Sequence, residues 1–300
     1  MKQQKKIVFS PKYEVDIGSH VFPTSKYRLV KEYLIENSYL SEDNFVEPEP
    51  ARSETVMEIH NCEYVNKIKN GTLSVSEELQ LELPYTKELA EASFLYCGGT
   101  ILTCEISLEN NVGIHLGGGF HHAYPDHGEG FCVFNDVALG AKKMADKGKK
   151  VVVIDCDLHQ GNGTAFCFKN NPNVFTFSMH QQNNYPLYKE KSDMDVPLKD
   201  QTSGKEYNEL LEKSLKEIKS KFNFNFAVYV AGSDTFIDDQ LGGLSLTIED
   251  LKARDKIVKS ETVDCGIPTA VTMAGGYSSR VEDTVKIHSS TVINFLEVQN

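Results

Sequence analysis

Five times along this chain a short apolar run ends in glycine, histidine or aspartate. VGIHL (112–116) leads into GGGFHH, and KVVVID (150–155) into CDLHQGNG. VFTFS (174–178) leads into MHQQNNYP, FAVYVAG (226–232) into SDTF, and PTAVTMAG (268–275) into GYSS. Near-continuous β-branched runs of this length suit strands buried on both faces, the habit of a parallel sheet between helical layers. In such a sheet all carboxyl ends lie along one edge, where ligands bind. Turns alone account for the glycines, but not for histidine and aspartate after strand upon strand.

A sixth candidate strand is KIVFS (6–10), and helical patterns fall at 25–37, 54–68, 86–109, 136–147, 204–221, 247–264 and 279–297. Asn135 and Asp136 give one helix a polar start, and Thr247 with Asp250 has the spacing of a capping box. Residues 38–54 and 181–203 read as irregular, with Asp193–Asp195 as a solvated loop. No repeat or Gly/Ser linker divides the chain, so residues 1–300 read as one α/β domain. The longest apolar runs are too short to span a bilayer, and MKQQKKIVFS lacks the apolar stretch of a signal peptide. The expectation is a soluble, cytoplasmic protein.

Seven cysteines include no CxxC pair, and apolar surroundings at Cys97 and Cys156 suggest buried free thiols. With 31 basic and 43 acidic residues the net charge is −12, which argues against direct nucleic acid binding. No sequence feature specifies an oligomer.

Alternate residues of an extended segment share a side, which places Asp155, Asp157 and His159 together. Carboxylate oxygen and neutral imidazole both suit zinc. Such a trio by itself means little, but Asp234, at the end of a second apolar strand, supplies a further ligand. His121 and His122 follow three glycines that allow close backbone approach. A histidine pair facing a metal-bound water suits acid–base work near neutral pH. Asp155 can orient one imidazole, and Asn162 can contact the other as a neutral partner. Tyr277, behind Gly275 and Gly276, can donate to a developing oxyanion. His127, Asp126 and Glu129 receive no catalytic role, and His180 reads as a structural histidine.

With these pieces in place the chain resembles the histone deacetylase family of the arginase/deacetylase superfamily. The resemblance rests on GGGFHHAYPDHGEGFCVFND, VVVIDCDLHQGNGT, VAGSDTFIDDQLGGLSLT and AGGYSS, four blocks in order. DLHQGNG and DDQLGGLS look most like the class IV branch. The resemblance implies a three-layer sandwich: a central, mainly parallel sheet with helices on both faces. It implies zinc held by Asp157, His159 and Asp234, and a histidine pair of His121 backed by Asp155 and His122 backed by Asn162. Tyr277 would be the oxyanion tyrosine. Many relatives have aspartate at the position of Asn162, whereas asparagine matches class IV. A structural K+ or Na+ is also implied, near Asp155, Asp157, His159 and Ser178.

Gly130 and Phe131 match the family's channel wall, with Tyr185 expected on the opposite wall. Polyamine-directed relatives carry a gatekeeping glutamate where Leu241 stands here, which favours an acyl-lysine peptide or protein as substrate. Class IV resemblance adds long-chain fatty acyl groups as well as, or instead of, acetyl. No match to the acidic rim residue of class I relatives is evident. An acetylpolyamine or other small amide is the alternative substrate, and a silent acyl-lysine-binding module the alternative class. An arginase-like two-manganese centre fits poorly: SDTFID has serine at the first aspartate position and Asp238 one residue too far along.

Overall fold

The structure is a computed structural model that describes residues 5–299. Its strands are β1 (Ile7–Val8), β2 (Phe45–Val46), β3 (Val112–His115), β4 (Val151–Asp155), β5 (Val174–Gln181), β6 (Met194–Leu198), β7 (Phe226–Val230) and β8 (Thr269–Thr272). They form one eight-stranded sheet in the order β2-β1-β3-β8-β7-β4-β5-β6. Every pairing is parallel, so the carboxyl ends share one edge as the apolar runs predict. The winding reverses between the neighbours β4 and β7, since β4, β5 and β6 step one way across the sheet and β7 and β8 step back, and the loops that carry His159 and Asp234 emerge at this switch point.

The main helices are α1 (Lys26–Glu36), α2 (Ser53–Val56), α3 (Cys62–Asn70), α4 (Val75–Leu81), α5 (Lys87–Asn110), α6 (Asp136–Asp146), α7 (Asn162–Cys167), α8 (Gly204–Lys221), α9 (Ile248–Glu261) and α10 (Val281–Leu296). Alternation along β4 shows why the sheet needs helices on both faces. Val151 and Val153 pack with Val137, Ala141 and Met144 of α6, whereas Val152 and Ile154 join the cluster containing Leu211 and Leu215 of α8 and Val258 of α9. All four valine and isoleucine side chains are at most 1% exposed, which removes their apolar area from water on both sides. The expected caps are present: Asn135 Oδ1 accepts from Ala138 N at 2.8 Å, and Thr247 and Asp250 form a reciprocal capping box.

Four expectations are corrected. The helix expected over 54–68 is broken into α2 and α3, because Asn61 N donates to Pro125 O at 2.6 Å and His60 turns inward. The stretch 181–203 contains β6, an edge strand with Pro197. Asp193 and Asp195 are therefore not a merely solvated loop. Asp193 accepts from Thr176 N at 2.8 Å, and Asp195 accepts from Gln160 Nε2 at 2.9 Å, so both carboxylates are tied to neighbouring segments. Residues 38–54, expected to be irregular, contribute the short edge strand β2.

Described cysteines are all free; Cys97, Cys104, Cys132 and Cys156 are buried as expected, whereas Cys62 and Cys265 are exposed. Among the described residues no helix is long and apolar enough to cross a membrane.

Candidate active site

The loop after β3 is built around one buried carboxylate. Asp136, at the start of α6, accepts from Phe120 N at 2.8 Å and Gly119 N at 3.0 Å, and Thr100 donates to it as well. Gly119 has φ +89°, and a Cβ there would meet Ala274 Cβ at 2.5 Å, so only glycine lets the two loops close against each other. The chain is thereby turned so that His121 and His122 point inward, 3% and 5% exposed.

His121 Nδ1 lies 2.7 Å from Asp155 Oδ2, and His122 Nδ1 lies 2.7 Å from Asn162 Oδ1. The two Nε2 atoms face each other at 3.1 Å. Burial alone would lower the pKa of His121, but Asp155 and Asp157 outweigh it and raise it to about 9. Burial, with positive charge on His121 and His159, instead holds His122 well below the ordinary histidine value. One carboxylate partner and one amide partner thus separate two adjacent imidazoles.

Asp157, His159 and Asp234 form the other half of the site. One ligand atom from each lies within 4.8 Å of the others, and all three side chains are buried. His159 Nδ1 is 3.2 Å from both Asp157 Oδ1 and Asp234 Oδ2. The backbone fixes each carboxylate. Asp157 accepts from His159 N at 3.0 Å and Gly275 N at 2.8 Å, and Asp234 accepts from Leu158 N at 2.9 Å. Gly275 has no room for a side chain, since a Cβ would strike the Asp234 carboxylate and come within 2.6 Å of Asp157 Oδ2. Burial and the charge of Asp157 raise Asp234 to about 6, so two anions at this spacing call for a cation between them. Two carboxylates and an imidazole nitrogen are a donor set that suits a divalent transition metal, and the residues fit one.

Tyr277 stands across from this group, its ring centroid 6.5 Å from that of His159. Asp239 positions it by accepting from Tyr277 N at 2.7 Å, while its other oxygen accepts from Leu241 N at 2.9 Å. A channel of about 160 Å³ runs from the surface to His122, His159 and Tyr277. Gly130, Phe131, Tyr185 and Leu241, all expected on the channel, line it. Tyr185 meets His122 edge-on at 4.9 Å. Ser178 sits beside Asp155 in the β4–β5 register, its Oγ 3.0 Å from His180 Nδ1. His180 is buried and pushed down to about 4, in keeping with a structural histidine.

Sequence reasoning missed three residues with a place here, and it gave a fourth, Glu129, no role. Glu82 lines the mouth of the channel. Its φ of +60° at the end of α4 gives no signal in sequence. Lys26 is wholly buried near Tyr277, with Nζ donating to Ala274 O at 2.6 Å and 5.6 Å from the tyrosine ring centroid. Burial lowers it to about 8. Asp239 is hidden beside Asp238 in an acidic pair, and Glu129 lies behind Asn162. The glutamate's neighbours Gly130 and Phe131 were the one available pointer.

The histone deacetylase domain family matches residues 20–292 of the chain. A protein of Picosynechococcus sp. is 34% identical over 286 residues, covering 94% of this chain and 95% of that protein. Histone deacetylase 2 of Arabidopsis thaliana is 29% identical over 286 residues, 90% of this chain and 74% of its own. Acetoin utilization protein AcuC of Staphylococcus aureus is 28% identical over 255 residues, 77% and 66% respectively. Among solved structures, an HDAC homolog complexed with SAHA superposes with TM-score 0.87 at 21% identity, over 99% of this chain and 85% of that one. An HDAC homolog from Aquifex aeolicus gives 0.86 at the same identity and coverage. These two likenesses establish the fold.

Proposed function

The chain belongs to the histone deacetylase family of hydrolases, and from its site we propose that it is a zinc-dependent lysine deacylase. The observation that carries this reading is the convergence of three elements at the inner end of one channel. They are the Asp157–His159–Asp234 group, the histidine pair and Tyr277. Bound there, zinc would polarise the acyl carbonyl and make its water acidic enough to attack.

The chain's own residues do the rest. His122, the neutral member of the pair, takes a proton from water at Nε2. His121, held by Asp155, keeps the positive charge that the leaving amine must be given as a proton. Tyr277 donates its hydroxyl proton to the oxyanion as a hydrogen bond, and Asp239 keeps the loop in place. Phe131 and Tyr185 offer aromatic faces to the alkyl stem of a lysine, and Gly130 leaves them room. Glu82 at the mouth is placed to accept from a peptide backbone N–H. Asp155, Asp157, His159 and Ser178 would hold a structural K+ or Na+, as the family resemblance implies.

Acetyl is the acyl group the closed site favours. The cavity continuing inward past Tyr277, beside Phe22 and Tyr27, holds only about 20 Å³. An apolar void of similar size beyond it is walled by Phe22, Phe120 and Phe131. A long fatty acyl chain, as the class IV likeness suggests, requires those rings to part. Leu241 on the channel wall favours lysine over a polyamine. Free thiols support a reducing, cytoplasmic setting.

The test is hydrolysis of acetyl-, trifluoroacetyl- and myristoyl-lysine peptides beside acetylpolyamines, with zinc content measured on the same sample. Turnover of lysine peptides that falls by about 10²-fold or more in Tyr277→Phe supports the reading. Turnover of polyamines alone overturns the substrate class. Zinc-loaded protein that binds acyl-lysine peptide and hydrolyses none of these amides is a binding module instead.

A further inference from the structure

In HGEGF two residues line the channel, yet the glutamate between the glycines has no part in the chemistry above. Glu129 is 14% exposed in its side chain, and its carboxylate turns inward behind the histidine pair. Oε1 accepts from Asn162 Nδ2 at 2.5 Å, and Oε2 lies 3.5 Å from His127 Nε2. The Tyr185 hydroxyl interacts with the same carboxylate. Asn162 in turn presents Oδ1 to His122 Nδ1.

The donors and acceptors in this row determine one another. An ionised carboxylate only accepts, while an amide donates through nitrogen and accepts through oxygen. With Glu129 on one side, the Asn162 nitrogen must turn to it and the oxygen must turn to His122. His122 Nδ1 must then carry hydrogen, and a neutral imidazole so arranged has a bare Nε2. That nitrogen is the one aimed at His121 and the metal-side cavity. Without the carboxylate, only the Tyr124 hydroxyl, a longer contact at 3.3 Å from Asn162 Nδ2, holds the amide, and an amide that turns over would donate to Nδ1 and move the ring hydrogen to Nε2. Burial alone would raise the pKa of Glu129, but hydrogen bonds from His127, Asn162 and Tyr185 hold it below the usual carboxyl value. The carboxylate is therefore ionised near neutral pH.

We propose that Glu129 is a positioning residue, whose carboxylate orients the Asn162 amide and so fixes His122 as the Nδ1–H tautomer with Nε2 open to a proton. Its catalytic meaning rests on the reading of His122 as the base. The same carboxylate, through Tyr185, also steadies the channel wall that stands against the His122 ring.

The test uses the full-length, zinc-loaded protein with ¹⁵N-labelled histidine, together with steady-state turnover of an acetyl-lysine peptide. Unmutated protein is expected to show a protonated Nδ1 and a bare Nε2 for His122. Glu129→Leu, which leaves no acceptor at that position for the Asn162 amide, is expected to lose that signature and to lower kcat about tenfold or more. Asn162→Asp alone sets two carboxylates against each other and is also impaired. The double variant Glu129→Gln/Asn162→Asp returns an acceptor to His122 and a donor to position 162, and it restores both signature and rate. It carries the test even where Glu129→Leu does not fold. A Glu129→Leu protein with unchanged ring signals and kcat overturns the proposal, and so does a double variant as impaired as Asn162→Asp alone. If unmutated protein hydrolyses no acyl amide, the base reading fails on its own. The nitrogen signals still decide whether Glu129 sets the tautomer.

Discussion

The Nε2 atoms of His121 and His122 lie 3.1 Å apart while each Nδ1 is already committed to an oxygen acceptor. The pair therefore holds a single positive charge, carried by His121 beside Asp155, while His122 stays neutral. Replacing either histidine by alanine should lower kcat by about 10²–10⁴-fold. His122→Ala should be the more damaging, because it removes the neutral acceptor. Steady-state rates for both variants on one acetyl-lysine peptide measure this, and equal KM values would place the loss in the chemical step.

Asp157, His159 and Asp234 offer three donors within 4.8 Å. Elemental analysis of protein purified without chelator should find one divalent ion per chain. Asp234→Asn and His159→Ala should each lose it at equal protein concentration. Dialysis against a chelator should abolish turnover, and added zinc should restore it. Turnover that survives complete metal removal would contradict the assignment.

Arg254 and Asp255 are buried side by side, at 0% and 1% exposed. The guanidinium donates to Asp255 Oδ1 through Nε at 3.0 Å and Nη2 at 2.9 Å, and through Nη1 to Gly232 O. Arg254→Met strands a buried carboxylate and should cost about 3–5 kcal/mol in denaturant unfolding. Arg254→Met/Asp255→Leu should recover much of that loss. Because Gly232 lies two residues before Asp234, the single variant should also bind metal more weakly, which a competition titration against a chromophoric chelator measures.

His60 supplies a pH dependence remote from the metal group. Its Nδ1 lies 2.9 Å from Tyr124 O and its Nε2 accepts from Asn135 N at 2.9 Å, so the ring is held neutral. Burial lowers its pKa from 6.5 to about 4. Between those values the unfolded chain binds the proton and the folded chain does not. The contribution is whole above pH 6.5 and is lost as pH falls toward 4, by roughly 3 kcal/mol in all. Urea unfolding at pH 7 and pH 5 should therefore show a smaller difference in His60→Gln than in unmutated protein, even though that variant is less stable at pH 7.

What could be read from residues alone followed backbone periodicity and local spacing. VVVID announces a strand buried on both faces, and DxDxH announces its own turn, because those patterns act over a few residues. His60 shows the limit. The helical pattern of 54–68 runs through it, yet contacts with Tyr124, Pro125 and Asn135, more than sixty residues on, break the helix. β6 fails to stand out for a related reason, since Asp195 and Pro197 are tolerated only at a sheet edge. Glu82, Lys26, Asp239 and Glu129 enter the site through tertiary placement, and each resembles an ordinary charged surface residue until the chain is folded around it.

The strand order has a further consequence for a chain made from its N-terminus. β3 and β4 are synthesised early, but they are not neighbours: β8 and β7, translated last among the strands, insert between them. His159 waits for Asp234, 75 residues later in the chain, and the loop carrying Tyr277 follows later still. A nascent chain therefore holds its sheet as two unjoined halves, with an incomplete ligand set on one of them. Hydrolytic competence arrives together with sheet closure, so a chain truncated before β7 has neither a continuous sheet nor a third ligand for the metal.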